Sequence, residues 1–365
     1  MSFFEDILTY AVKNGASDVH LTVGSPPAVR IDGVIRFLRG EALTPKDTSG
    51  FVDEILNADQ KDRFLKTGDM DVALSISGLG RFRVNVLRQR GSVGIVMRHV
   101  RSKILDLAAL HLPEALDRIC EMRRGLVLVT GTTGSGKSTT LASLIDRIND
   151  TQRLHIVTLE DPIEYLHSNK KSIVTQREMA IDTRDFSVAL RAAMREDPDV
   201  ILIGEMRDPE TFAAAMSAAE TGHLVFSTLH TTNAMMSVDR ILDLFPSNQH
   251  DQIRSQLSLQ LRALVAQRLL PTADGKGRVP AVEIMFNNPA IAALIRENNI
   301  KQIPLAIAGG REDGMQTFNN SLVGLIKQKL ITEEEAMYAS DNPEELRMNL
   351  QGIFLSQGRG GILKK

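Results

Sequence analysis

The sequence predicts an α/β chain in two parts: a small α+β domain with an antiparallel sheet, then a larger domain on a parallel sheet with helices at its C-terminal end. Three observations lead there. Up to Val100, short segments alternate polar and apolar residues ("DVHLTVG", "AVRIDGVIRFL", "DVALSIS", "RFRVNVLRQRGSVGIVMRHV") between turn signals such as "GSPP" and "DG", the period of strands with one buried face. From Arg124 the runs become apolar throughout ("GLVLVTG", "HIVTLED", "DVILIGE", "HLVFSTLH") with helical segments between them, as in parallel strands covered on both faces. After Pro271 helical spacing dominates, in "PAIAALIRENNI", "NNSLVGLIKQKL" and "EEEAMYA".

The chain opens on "FFEDILTYAVKN", residues 3–14, where Phe4, Ile7, Leu8 and Val12 share one side of a helix that Gly15 stops. The alternating segments complete a first domain over residues 1–100. Residues 101–113 ("RSKILDLAALHLP") read as a connection or hinge, 114–270 as the core of the second domain, and 271–365 as its helical part, ending in the basic stretch "GRGGILKK". A chain of 365 residues can bury a core in each domain.

Composition narrows the partners. A formal net charge of -2 gives no polyanion-binding surface, so nucleic acid is not expected. Cys120 is the sole cysteine, which excludes an intrachain disulfide and a four-cysteine zinc site; its setting, "LDRICEMRR", reads as an inert, half-buried thiol on an amphipathic helix. The start, "MSFFEDILTY", lacks the n-region and apolar run of a secretory signal, and no stretch approaches the roughly 18 apolar residues that span a bilayer. The expected location is the cytoplasm.

The chemistry begins at "GTTGSGKS", Gly131–Ser138, a full match to G-x-x-x-x-G-K-[ST]. An apolar strand, "LVLVT", runs straight in, and a helix carrying Leu141, Leu144, Ile145 and Ile148 on one face runs out. Glycines let the backbone turn its N–H groups toward phosphate oxygens, and the helix N-terminus adds its positive end. Thr132, Thr133, Gly134, Ser135, Gly136, Lys137, Ser138 and Thr139 are therefore expected to hold a nucleoside triphosphate, with Lys137 on the β- and γ-phosphates and the Ser138 hydroxyl on Mg²⁺.

Ligands of an open parallel sheet sit beyond the carboxyl ends of its strands, so residues just past the other apolar runs should converge there. Glu160, Asp161 and Glu164 cluster after "HIVTL", where an acidic surface turn is the competing explanation. After "DVILI" the usual metal-holding aspartate is replaced by Gly204, leaving Glu205 as the acid for Mg²⁺ or its water shell. In "ETGHLVFSTLHTTN", His223 precedes a strand and His230 ends it; His230 is placed to sense or position phosphate.

"GTTGSGKST", "EDPIEY", "GEMRDPET" and "TGHLVFSTLHT", in this order and spacing, resemble the Walker A, Asp box, Walker B and His box of the secretion ATPases, most of all the type IV pilus retraction ATPases, the PilT/PilU family. "GASDVHL", "PPAVRIDG" and "GRFRVN" are similar to that family's small N-terminal domain, so the resemblance covers nearly the whole chain. It implies a PAS-like α+β domain followed by a RecA-like P-loop ATPase domain, with ATP and Mg²⁺ as cofactors. It further implies that Glu164 is the general base orienting the attacking water, that Glu205 is the Walker B acid, and that His223 and His230 form the His box. Arg81 and Arg83 in "RFRVN" would reach the γ-phosphate from the N-terminal domain, with Arg98 as a further nucleotide contact. Arg81, Arg83 and Asn85 do share one face of a strand while Phe82, Val84 and Val86 share the other, a pattern that a solvated sheet face explains equally well.

The resemblance also implies a homohexamer at the cytoplasmic face of the inner membrane, working on a pilus platform protein and the pilus machinery in twitching motility, alongside a paralogous retraction ATPase in some systems. The extra N-terminal domain and four-cysteine metal site of assembly and type II secretion ATPases are not present in the sequence. One segment departs: the retraction motif "AIRNLIRE" reads "AIAALIRE" at residues 290–297, with Ala292 and Ala293 in place of an arginine and an asparagine. That departure keeps open an accessory, PilU-type or regulatory nucleotide-binding subunit with little retraction activity of its own.

Overall fold

A computed structural model of the chain describes residues 2–352 apart from Asp32 and Arg101. The described residues form two compact units, one up to Lys103 together with Glu164–Leu166, the other comprising Ile104–Ile163 and the chain from His167 onward.

The first unit is a six-stranded antiparallel sheet in the order β3-β2-β1-β6-β5-β4. Its strands are β1 (Asp18–Thr22), β2 (Ala28–Ile31), β3 (Val34–Phe37), β4 (Asp69–Ile76), β5 (Gly80–Gln89) and β6 (Ser92–His99). Alternation decides which face is covered: on β5, Phe82, Val84 and Val86 are buried while Arg81, Arg83 and Asn85 are half-buried on the other side. Helix α1 (Phe3–Lys13) starts at a capping box in which Ser2 and Glu5 satisfy each other's backbone N–H groups, and it adds Phe4, Ile7 and Leu8 to this core. Two further helices, α2 (Pro45–Ile55) and α3 (Ala58–Thr67), fill the gap between β3 and β4. α3 shows little apolar spacing because it buries only Phe64, whereas α2 buries Phe51, Val52 and Ile55; the capping boxes at Thr44/Asp47 and Asn57/Gln60 mark both starts.

The second unit is a seven-stranded sheet in the order β13-β12-β7-β11-β10-β8-β9, comprising β7 (Gly125–Thr130), β8 (His155–Glu160), β9 (Ile173–Glu178), β10 (Val200–Ile203), β11 (Leu224–Leu229), β12 (Leu261–Pro271) and β13 (Arg278–Phe286). All neighbours are parallel except β12 and β13. Every residue of β7, β10 and β11 is buried, as the continuous apolar runs require. Helices α4 (Asp117–Cys120), α5 (Lys137–Thr151), α6 (Phe186–Ala193), α7 (Pro209–Glu220), α8 (Ala234–Leu242), α9 (His250–Gln260) and α10 (Pro289–Arg296) alternate with or follow the strands, and α11 (Ile303–Gly309), α12 (Phe318–Lys327), α13 (Glu333–Ala339) and α14 (Pro343–Leu350) complete the unit. The basic stretch at 358–365 lies outside the described residues.

One expectation needs correction. The region after Pro271 is not helical from its start: "RVPAVEIMF" is the edge strand β13, paired along the whole length of β12 as far as Pro271 itself. A short run with a single interior polar residue, Glu283, carries no period to separate strand from helix. Pro280 is tolerated because β13 is an edge strand.

Glu283 on β13 is almost fully buried and accepts a hydrogen bond from the Ala234 amide at 2.8 Å. Burial, only partly offset by that bond, pushes its carboxyl up to about 7. A carboxyl raised on folding contributes stability that is present below its ordinary value of 4.5 and is lost as pH rises through about 7. Glu283→Gln keeps the acceptor and removes the charge, so it should stabilise the protein at pH 8 by about 1–3 kcal/mol and change little near pH 4. Equal denaturant midpoints for the two proteins at pH 8 would contradict this.

Candidate active site

Strand register brings the predicted groups to one edge. Thr130 pairs with Leu229, so the glycine-rich loop leaves β7 beside the point where His230 follows β11. Ile203 pairs with both Ser227 and Leu159, which places Glu205 and the acidic turn after β8 on the same carboxyl-end edge.

The loop itself depends on glycine where the backbone requires it. Gly131 has φ of 147° and Gly136 has φ of 92°, a region that side chains disfavour. Gly136 is the N-cap of α5 and offers no side-chain acceptor, so the amides of the first turn are directed into the loop. Lys137 Nζ donates to the carbonyls of Gly131 (2.8 Å) and Thr132 (3.1 Å), which holds the ammonium across the mouth of the loop. Thr132, Thr133, Gly134 and Ser138 are exposed, Gly136, Lys137 and Thr139 half-buried, and Ser135 buried.

Beside the loop stands a three-membered cluster. Glu205 Oε2 lies 2.7 Å from Arg207 Nη2, and Glu205 Oε1 lies 3.1 Å from His230 Nε2. Burial alone would raise the Glu205 carboxyl, but the hydrogen bond from Arg207 and the neighbouring His230 and Arg207 side chains prevail and hold it below the ordinary carboxylate range. Arg207 had no role in the sequence reading, although it stands inside "GEMRDPET"; its guanidinium also lies within the field of Asp161. Glu160 is tied down differently: its Oε1 accepts from Thr158 Oγ1 (2.7 Å) and Gln176 Nε2 (3.1 Å). Gln176 Oε1 in turn accepts from the His167 amide at 2.8 Å, so a single side chain on β9 grips both ends of the turn that carries Asp161 and Glu164. Glu164 is exposed and groups with the first compact unit.

Other expected residues fall elsewhere. His223 is not brought to the loop: it precedes β11 at the amino end, its carbonyl accepting from the Gly125 amide, and its Nδ1 faces the Ala218 carbonyl at 3.0 Å. The whole of the strand separates it from His230. Arg98 pairs with Asp18, Nε to Oδ1 at 2.8 Å, within its own sheet. Burial would raise Asp18, yet the hydrogen bonds from Ser17 and Arg98 hold it low. Arg81 and Arg83 lie on the half-buried face of β5. Cys120 is buried, and burial pushes its thiol up to about 12, as an inert cysteine requires.

Among the described residues no group of three or more His, Cys, Asp and Glu side chains could hold a metal ion by itself. The donors at the loop suit Mg²⁺ nonetheless, because that ion keeps most of its waters and takes one or two hard oxygens alongside phosphate. Ser138 offers an exposed hydroxyl, and Glu205 an ionised carboxylate whose oxygens already face His230 and Arg207.

A phosphate-cradling loop on a parallel strand, with acid and histidine at neighbouring strand ends, is the architecture of a P-loop NTPase. The chain belongs to the Type II/IV secretion system protein family, which matches residues 1–351. It is 46% identical over 339 residues to the type IV pilus retraction ATPase PilT of Pseudomonas aeruginosa, covering 93% of this chain and 98% of that one. It is 41% identical over 348 residues to the type IV pilus ATPase PilU of the same organism, covering 95% and 91%. Among solved structures, the pilus retraction motor PilT with bound ADP superposes with a TM-score of 0.87 at 49% identity, covering 95% of this chain and 99% of that one. No helix among the described residues is long and apolar enough to cross a membrane.

Proposed function

We propose that this chain is an ATP-hydrolysing hexameric motor that drives type IV pilus retraction. The observation that carries it is the loop and the Glu205–His230–Arg207 cluster on one sheet edge, in a chain 46% identical to PilT over 98% of PilT's length. In this reading Lys137 counters charge on the β- and γ-phosphates, and the amides of 132–139 cradle them. Ser138 and Glu205 would hold Mg²⁺, which would supply positive charge to offset that of the phosphates. Glu164 orients the attacking water, His230 reads the γ-phosphate, and Arg81 and Arg83 bring positive charge, with Arg98 and His223 as further nucleotide contacts. ATP and water become ADP and phosphate, and the change in charge at the loop is what the ring converts to movement against a platform protein at the cytoplasmic face of the inner membrane.

Glu164→Gln keeps the side chain's shape and removes the base. It should lower kcat by about a hundredfold with nucleotide affinity retained; near-normal turnover removes Glu164 from the mechanism. The motor reading is tested by deleting the gene in its source organism. Surplus surface pili with lost twitching are expected, and bald cells would overturn it.

One observation favours the accessory, PilU-type reading. Helix α10 buries Ile291 and Ile295, while Ala292 and Ala293 are half-buried beside them. The two replacements therefore trim polar reach from a partly exposed surface and leave the helix's core side unchanged. ATP turnover of the purified chain that rises only when a second retraction ATPase is added would support this reading.

A further inference from the structure

Gln267, on β12 next to β7, is 3% exposed, and its side-chain amide is engaged at both ends. Nε2 donates to the Ser135 carbonyl at 2.8 Å, and Oε1 accepts from Thr140 Oγ1 at 2.8 Å. Its surroundings press on the glycines of the loop as well. A Cβ on Gly131 would lie 2.4 Å from the Gln267 carbonyl oxygen, and a Cβ on Gly136 would lie 2.7 Å from Gln267 Nε2.

We propose that Gln267 is a positioning residue for the phosphate loop: by tethering the Ser135 carbonyl to the sheet, it aims the Gly136 N–H at the phosphates of the nucleotide. Peptide planarity supplies the reason. The Ser135 carbonyl and the Gly136 N–H belong to one trans peptide unit and point in opposite directions. Fixing the carbonyl toward β12 fixes the N–H away from β12, into the hollow of the loop. The second contact, from Thr140 in the first turns of α5, stops the amide from rotating and ties the helix that carries Lys137 and Ser138 to the same strand. Phosphate then meets a donor already in place, and the loop need not be ordered on binding. Tight glycine packing keeps the loop close enough for the bond to form.

A leucine at this position would bury the Ser135 carbonyl and the Thr140 hydroxyl without a partner, leaving the peptide to turn toward other donors. Because the ground state and the transition state both use the Gly136 N–H, the loss should fall mainly on affinity. The inference rests on reading residues 131–138 as an ATP site, so the full-length wild-type protein is measured first, with Mg²⁺ and a fluorescent ADP analogue. If wild type does not bind the analogue, the ATP reading itself falls.

With wild-type binding established, Gln267→Leu should raise the Kd for ADP and the KM for ATP together, by roughly 10- to 100-fold, with kcat at saturating ATP changing several-fold less. Thr140→Val should move both constants in the same direction by a smaller factor, and Thr140→Ser should restore them. A Kd within twofold of wild type, or a fall in kcat at unchanged KM, would show that Gln267 only packs the sheet and would overturn the assignment. If Gln267→Leu does not fold, Gln267→Glu decides: it keeps the acceptor for Thr140 and sets an oxygen against the Ser135 carbonyl, so it must raise KM for the proposal to stand.

Discussion

Lys137→Ala should lower kcat/KM for ATP by on the order of a thousandfold and leave the fold intact. The negative charge of the phosphoryl group must be met by positive charge placed beforehand, because little else in phosphoryl transfer requires the protein's chemistry. Lys137 Nζ is already held at 2.8 Å and 3.1 Å from two loop carbonyls, so the ammonium stands at the loop mouth with little left to organise. Removing those bonds at a half-buried position costs about 1–2 kcal/mol of stability, too little to unfold a domain with ordinary reserves of about 5–15 kcal/mol. The circular dichroism spectrum should therefore match wild type. Turnover within tenfold of wild type would mean that the loop is not the catalytic phosphate site.

Glu205→Ala should lower kcat by several hundredfold, on the order of 3–4 kcal/mol of barrier. The carboxylate holds His230 and Arg207 by its two oxygens, and in the proposed mechanism it also serves Mg²⁺. Without it, the histidine loses its orientation and the Arg207 guanidinium loses its carboxylate partner. ADP binding measured without Mg²⁺ should change much less than turnover, which separates loss of catalysis from loss of the site. The pH dependence has a definite sign. Because the carboxyl sits below its ordinary value in the folded protein, its contribution to stability is present above 4.5 and disappears as pH falls through the lowered value. The alanine variant should therefore lose less stability than wild type on acidification. Identical acid midpoints would count against the ion-paired cluster.

Where the signal was local, sequence reading reached far. The loop at 131–138 is continuous, and the strands β7, β8, β10 and β11 announce themselves as apolar runs, so the carboxyl-edge rule places Glu205 and His230 together from sequence alone. Where partners come from distant segments, it failed. Gln267 follows the loop by more than a hundred residues, and no local pattern says that its amide returns to Ser135. Arg207 was passed over because an arginine after a strand reads as surface until its carboxylate is seen at 2.7 Å. β13 was hidden by having almost no polar face, and α3 by having little apolar one. His223, given with His230 by the His-box resemblance, lies a full strand length from it within one chain, a separation that a motif alone does not display.

The silence of Cys120 has a practical use. Thiol reagents attack the thiolate, and a sulfur buried in the core with its proton held to about 12 gives them none at neutral pH. Chemical dyes can therefore be directed to a single engineered handle without first stripping the native one. Tyr338 on α13, 91% exposed, is a ready place for such a handle.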